Sequence, residues 1–196
     1  MFGLVYPPAL APLYPRPSVN HPGIRPVEGE EMLPLVDTSG LVYGRAARSY
    51  CHSGSKVLHP VVHLHLIDRM ERIYLQKRSM NKDLLPGYWD TAVGGHVTYG
   101  ETVEEALYRE TAEELGLVAF NPIPLGTYVY ETERDSELVI LFASVGHPDL
   151  SPSPQEVSEG RWWTLDEIDA ATGKHRLTPN FEQELPRIRK QLLALL

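Results

Sequence analysis

Cysteine is almost absent from this chain, Cys51 being the single one in 196 residues. A lone thiol excludes an internal disulfide framework and a zinc cluster built on cysteine, which suits a reducing cytoplasm. Long apolar runs are missing too. No stretch is long enough to span a bilayer, and the N-terminus lacks a basic start followed by an uninterrupted apolar segment. A soluble, unexported, cytoplasmic protein with no membrane partner is expected. Positive charge is scarce as well: 18 Lys and Arg stand against 26 Asp and Glu, for a formal net charge of −8. No basic stripe is therefore available for a nucleic-acid backbone, although a compact positive site for one small phosphate fits this balance. Internal repeats are also lacking.

What is present suffices for a folded domain, since 196 residues with 42% hydrophobic content can enclose a core. Prolines gather at the start, where M-F-G-L-V-Y-P-P-A-L-A-P-L-Y-P-R-P cannot hold a regular helix. Residues 1–30 read as an extended arm and 31–196 as the domain. Phe2, Leu4, Tyr6, Leu10, Leu13 and Tyr14 can pack on the domain or on a second subunit, and the arm with the last helix suggests a homodimer.

Beyond the arm the patterning alternates. Segments 33–36 and 41–43 flank Asp37-Thr38-Ser39-Gly40 as a short hairpin, and 61–67 and 73–78 read as strands joined by a charged turn. Two more strands, 126–131 and 138–145, surround the polar turn Glu133-Arg134-Asp135-Ser136. Trp162 and Trp163 precede a helical T-L-D-E-I-D-A-A with Thr164 as its cap. The end, 181–196, reads as an amphipathic helical segment interrupted at Pro186. Interleaved strands and helices fit an α/β layered fold.

The most telling segment is 95–117, G-H-V-T-Y-G-E-T-V-E-E-A-L-Y-R-E-T-A-E-E-L-G-L. Thr102 followed by Glu105 has the form of a capping box, so a helix starts there and runs to about Leu115 before Gly116 stops it. On that helix Val103, Ala106 and Leu107 share a face with Glu110, Glu113 and Glu114. The first turns look core-directed, so the later turns should also point at protein. Three ionised carboxylates there, partly desolvated, would repel and raise one another's pKa unless a cation or donors compensate. A hard divalent ion such as Mg2+ takes oxygen ligands and matches the cluster. Arg109 can pair with Glu105 or Glu113 and hold the carboxylates in place. Glutamates alone, without the wider spacing, would read as a solvated acidic face.

The wider spacing resembles the Nudix box: a Gly, five residues, Glu, seven residues, then Arg-Glu-x-x-Glu-Glu-x-Gly and an aliphatic residue. Gly95, Glu101, Arg109, Glu110, Glu113, Glu114, Gly116 and Leu117 match, and Thr111 stands where the family has an aliphatic residue. The resemblance implies the Nudix fold, an α/β/α sandwich with a mixed sheet. It also implies hydrolysis of a nucleoside diphosphate linked to another moiety, or of a related diphosphate. By matching position Glu110, Glu113, Glu114 and the Gly95 carbonyl would hold the metal, with Glu110 a candidate base. Some members take their base from outside the box, so Glu156 and Glu159 are candidates too; read alone, they are exposed loop charges.

A second resemblance overlaps the first. K-D-L-L-P-G-Y-W-D-T-A-V-G-G-H, residues 82–96, is similar to the corresponding stretch of type 1 isopentenyl-diphosphate isomerases. Arg78 and Lys82 match basic residues that contact the diphosphate there, and two such cations can bracket a diphosphate by charge-assisted hydrogen bonds. His52, His59 and His96 fall where those isomerases have metal-binding histidines, and Glu137 with Asp135 lies near where their metal-binding glutamates occur. Read alone, the three histidines are surface or satisfied buried groups, and His63 and His65, alternating on one strand face, are structural. Tyr88 and Trp89 read as core or pocket wall. The isomerases carry a catalytic cysteine immediately before the Gly-His pair, where this chain has Gly94, and Cys51 lies far away in sequence. They have also lost most of the box carboxylates that are kept here.

The expectation is a Mg2+-dependent Nudix hydrolase, with Mn2+ as a substitute ion, acting on a small diphosphate-containing molecule. One alternative is isopentenyl-diphosphate isomerase. Another is a Nudix-like domain that binds a nucleotide and regulates without catalysis, although binding alone would not need every carboxylate.

Overall fold

The computed structural model describes residues 29–196 except Asp83. The arm expected over 1–30 therefore lies, apart from Gly29 and Glu30, outside the described residues. The expected hairpin is present as β1 (Met32–Val36) and β2 (Val42–Ala47), paired antiparallel. Its turn is organised by one carboxylate: Asp37 Oδ1 accepts from the Ser39 amide at 2.8 Å, the Leu41 amide at 3.1 Å and the Ser39 hydroxyl at 2.6 Å. A short helix, α1 (Arg48–Cys51), follows and packs Cys51 against Leu33, Leu35 and Ala46.

A seven-stranded sheet forms the rest of the scaffold. Its strands are β3 (Leu58–Ile67), β4 (Ile73–Arg78), β5 (Trp89–Asp90), β6 (Val93–His96), β7 (Ile123–Glu131), β8 (Ser136–Val145) and β9 (Val157–Trp163). The order β5-β4-β3-β8-β7 is completed by β6 on β3 and β9 on β4. Buried at every position after its first, β3 behaves as a central strand. The charged turn from β3 to β4 is held by Asp68, which accepts from the Met70 and Arg72 amides and from the Arg72 side chain. Helices α2 (Val103–Leu115), α3 (Leu165–Ala171) and α4 (Pro179–Leu193) complete an α/β architecture of a mixed sheet with helices. None of the helices among the described residues is long and apolar enough to cross a membrane.

Local chemistry explains the boundaries. Thr102 caps α2, its hydroxyl accepting from the Glu105 amide at 3.1 Å while Glu105 accepts from the Thr102 amide at 2.8 Å. Gly116 ends it with φ 64°, the left-handed conformation that glycine adopts without strain. Thr164 forms the same reciprocal cap with Glu167 on α3. On β9, Gly160 is required by space: a Cβ there would lie 1.8 Å from the Tyr74 hydroxyl oxygen on β4.

One expectation needs correction. The helix at the C-terminus is not interrupted at Pro186 but runs through it, with Pro179 in its first turn. Pro186 is exposed, so the carbonyl deprived of its partner can be served by water. Trp162 and Trp163 precede the Thr164-capped α3 as expected, and they are also strand residues of β9, paired with Tyr74 and Ile73.

By packing, the chain divides into two compact units. The first takes the described residues up to Val62 with Gly95–Leu107 and Gly126–Ile140; the second takes the described residues of His63–Gly94, Tyr108–Leu125 and Leu141–Leu196.

Candidate active site

The apolar turns of α2 are buried as its spacing predicts, with Val103, Ala106 and Leu107 all in the core. The carboxylates that follow are graded rather than equal. Glu114 is buried, Glu110 is half-buried, and the Glu113 side chain is 57% exposed, so the expected crowding of three desolvated carboxylates holds for the first two only. Glu114 accepts from Gln76 Nε2 at 2.7 Å and from the Gly94 amide at 3.3 Å. Burial nevertheless pushes its carboxyl up to about 8, and the neighbouring Glu110 charge adds to the shift. A cation at these oxygens would relieve that penalty, which is the test that a Mg2+ site must pass.

Arg109 donates to Glu110 at 2.7 Å and to Glu113 at 3.3 Å. Glu113 is one of its two expected partners, and the other, Glu105, accepts from the Thr102 amide and hydroxyl. Gly95, the fourth expected ligand, lies in β6 directly after the Gly94 amide that holds Glu114.

The candidate diphosphate-binding residues have carboxylate or carbonyl partners. Arg78 ends β4, donating to the Leu84 carbonyl at 3.1 Å and reaching Asp90 at 3.4 Å. Lys82 is ion-paired with Glu156, and Lys77 lies 3.7 Å from Glu159, its register partner on β9. The two candidate bases outside the box are thus opposed by cations and are not isolated loop charges. Lys82 is also near enough for its charge to lower the Glu114 pKa against the burial effect.

His52, His59, His96 and Glu137 converge, their ligand-type atoms all within 4.8 Å of one another. His59 departs from the reading of these histidines as surface or satisfied groups, whereas His52 and His96 are half-buried and hydrogen-bonded. The His59 ring is fully buried, its Nδ1 donates to the Val57 carbonyl at 3.1 Å, and its Nε2 has no hydrogen-bond partner. Burial holds its pKa down, so Nε2 keeps a lone pair. His52 Nδ1 donates to Asp135 at 2.8 Å, and its Nε2 stands 3.1 Å from His96 Nε2. Asp135 therefore orients a histidine, while Glu137 supplies an oxygen to the cluster. Three imidazoles and a carboxylate suit a borderline ion such as Zn2+ better than Mg2+.

His63 and His65 are buried as structural residues should be, but their partner escapes the sequence. It is Glu184 on α4, a helix residue whose spacing gives no warning that its carboxylate is fully buried. Trp89 is core, its ring 5.0 Å from that of Trp163. Cys51 is buried too, and its thiol is pushed up to about 12.

Known proteins extend this picture. A NUDIX-domain family model matches residues 57–181. Isopentenyl-diphosphate delta-isomerase of Brevibacterium linens is 31% identical over 147 residues, covering 72% of this chain and 81% of that protein. YfcD, an uncharacterised Nudix hydrolase of Escherichia coli K12, is 30% identical over 146 residues, covering 74% and 81% respectively. The crystal structure of DR0079 from Deinococcus radiodurans superposes with a TM-score of 0.68 at 26% identity, covering 80% of this chain and 98% of that one. With the family model matching more than half of its length and Arg109, Glu110, Glu113 and Glu114 of the box in place on α2, the chain belongs to the NUDIX hydrolase family.

Proposed function

We propose that the protein is a Mg2+-dependent hydrolase that cleaves the diphosphate linkage of a nucleoside diphosphate derivative or related small molecule by water attack at phosphorus. The observation that carries this reading is Glu114, a buried carboxylate beside Glu110 whose charge is disfavoured until a cation arrives. Glu110, Glu113, Glu114 and the Gly95 carbonyl would hold the ion, with Mn2+ as a substitute. A bound divalent ion supplies charge screening at the phosphate oxygens and a more acidic attacking water.

The remaining work belongs to the side chains. Arg109 fixes the Glu110 and Glu113 carboxylates. Arg78 and Lys82 exchange Asp90 and Glu156 for diphosphate oxygens. Once Lys82 moves to substrate, Glu156 is released as a proton acceptor, alongside Glu110 and Glu159 as the candidate bases. The histidine cluster would hold a second, softer ion.

That cluster also favours a second reading, isopentenyl-diphosphate isomerisation, which the isomerase relatives share in name. Gly94, where such an isomerase would need its cysteine, and the retained box carboxylates weigh against it.

The deciding experiment is turnover of nucleotide sugars, dinucleotides, coenzyme A, nucleoside triphosphates and prenyl diphosphates in 18O-labelled water with Mg2+, read by mass spectrometry. We expect one 18O in a phosphate product and no turnover by Glu114→Gln. Interconversion of isopentenyl and dimethylallyl diphosphates without label would support the isomerase instead. Undiminished hydrolysis by Glu114→Gln at saturating Mg2+ would remove that residue from the metal site.

A further inference from the structure

The glutamates at 110, 113 and 114 are not held alike. Arg109, a cation, donates to Glu110 at 2.7 Å and to Glu113 at 3.3 Å. Glu114 takes its hydrogen bonds from neutral groups, the Gln76 side-chain amide at 2.7 Å and the Gly94 backbone N–H at 3.3 Å. Both donors meet the same oxygen, Oε2, and among the described residues no donor meets Oε1. A carboxylate fixed through one oxygen presents the other in a set direction. Because the donors are uncharged, the carboxylate also keeps the charge that a cation in their place would offset.

Gln76 is out of character for its strand. It follows the buried apolar run Ile73, Tyr74 and Leu75 on β4 and is itself buried, at 6% exposure. An amide taken out of water is unfavourable unless it is hydrogen-bonded, so a glutamine in this place needs a partner. Its neighbours across the sheet do not provide one. Gly160, opposite it on β9, has no side chain. Asp90, opposite it on β5, accepts instead from the Thr91 amide, the Thr178 hydroxyl and the Arg78 guanidinium. The Gln76 amide is committed to Glu114 on α2, 38 residues away in sequence.

We propose that Gln76 is a positioning residue for the ion site: with the Gly94 N–H it fixes Glu114 through Oε2, leaving Oε1 and the undiminished carboxylate charge to the divalent ion. The inference rests on the reading of Glu114 as a metal ligand and deepens it. It brings β4 into the metal site, although β4 lies outside the box segment 95–117. Groups that orient a metal ligand from behind commonly change metal affinity by about 10- to 100-fold when lost.

Calorimetric titration with Mg2+ tests this in the full chain. Gln76→Leu removes the donor at similar volume and should raise the Mg2+ dissociation constant by about 10-fold or more, with an unchanged circular-dichroism spectrum. Gln76→Lys keeps a donor for Glu114 but gives it a positive charge, and should weaken Mg2+ binding at least as much. A purely structural hydrogen bond predicts a lower melting temperature and unaltered Mg2+ affinity for Gln76→Leu, which would overturn the proposal. So would Gln76→Lys binding Mg2+ as tightly as the unaltered protein. Should the variants fail to fold, the unaltered protein still decides: the Gln76 side-chain NH2 resonances should shift with the same Mg2+ midpoint as the Glu114 carboxyl 13C resonance, and static Gln76 signals would overturn the proposal. Loss of Mg2+ binding in Glu114→Gln with none in Gln76→Leu would sink the positioning role alone. Absence of Mg2+ binding by the unaltered protein would sink the ligand reading on which it stands.

Discussion

Cys51 has no exposed surface, and burial pushes its thiol up to about 12. Only the thiolate is an effective nucleophile, so this side chain cannot stand in for the cysteine that position 94 lacks. A thiol reagent such as DTNB should leave the native protein unlabelled and titrate one thiol after denaturation; rapid native labelling would contradict this environment. Lys82 makes a different kind of prediction. If it positions the diphosphate, Lys82→Ala should raise KM more than it lowers kcat, and an unchanged KM would leave the Lys82–Glu156 pair as surface decoration. The histidines mark the limit of reading residues one at a time. Sequence spacing can pair His52 with His59, but whether Nε2 of His59 is satisfied depends on what packs around it after folding.

Among the elements, α2 is readable from sequence because its signals are local: Thr102 and Glu105 close a cap within one turn, and Gly116 ends the helix by its own conformation. The short strands β5 and β6 and the polar β9 are not, since V-S-E-G-R-W-W acquires strand character only by pairing with β4. Pro186 misled for the opposite reason, a strong local signal overridden by the burial of Leu185, Ile188 and Leu192 on either side of it. Pro186→Ala would restore an amide donor on an exposed helix position. It should stabilise the protein by about 1–3 kcal/mol against chemical denaturation, helix propensity outweighing the lost stiffness of the unfolded chain. The same helix sets an acid limit. Burial alone would raise the Glu184 carboxyl, but His63 and His65 hold it well below its ordinary value of 4.5. A depressed folded-state pKa means that its stabilisation is present above about pH 4.5 and is lost as pH falls below that value. Urea midpoints should therefore fall more steeply with acid in the unaltered protein than in Glu184→Gln.

For the whole molecule, the α/β class follows from the alternation of periods along the chain, whereas the convergence of His52, His59, His96 and Glu137 is visible only after folding. The histidine cluster falls in the first compact unit, and Glu110, Glu113 and Glu114 fall in the second. Donor chemistry predicts two independent classes of ion: oxygen-ligated Mg2+ at the carboxylates and a nitrogen-ligated softer ion at the histidines. Equilibrium dialysis with elemental analysis should find that His59→Ala loses the Zn2+ equivalent and keeps Mg2+, while Glu114→Gln does the reverse. Joint loss of both ions in either variant would refute that independence.

The contact between Tyr74 and Gly160 has an evolutionary consequence. With a side-chain atom 1.8 Å from the tyrosine oxygen, a replacement at position 160 requires the Tyr74 side chain to shift or to change with it. A library randomised at 160 and selected for folded protein should return glycine, and one randomised at both positions should return new residues only in compensating pairs. The join between β4 and β9, whose strands carry Lys77 and Glu159, would then drift among descendants of this chain two residues at a time.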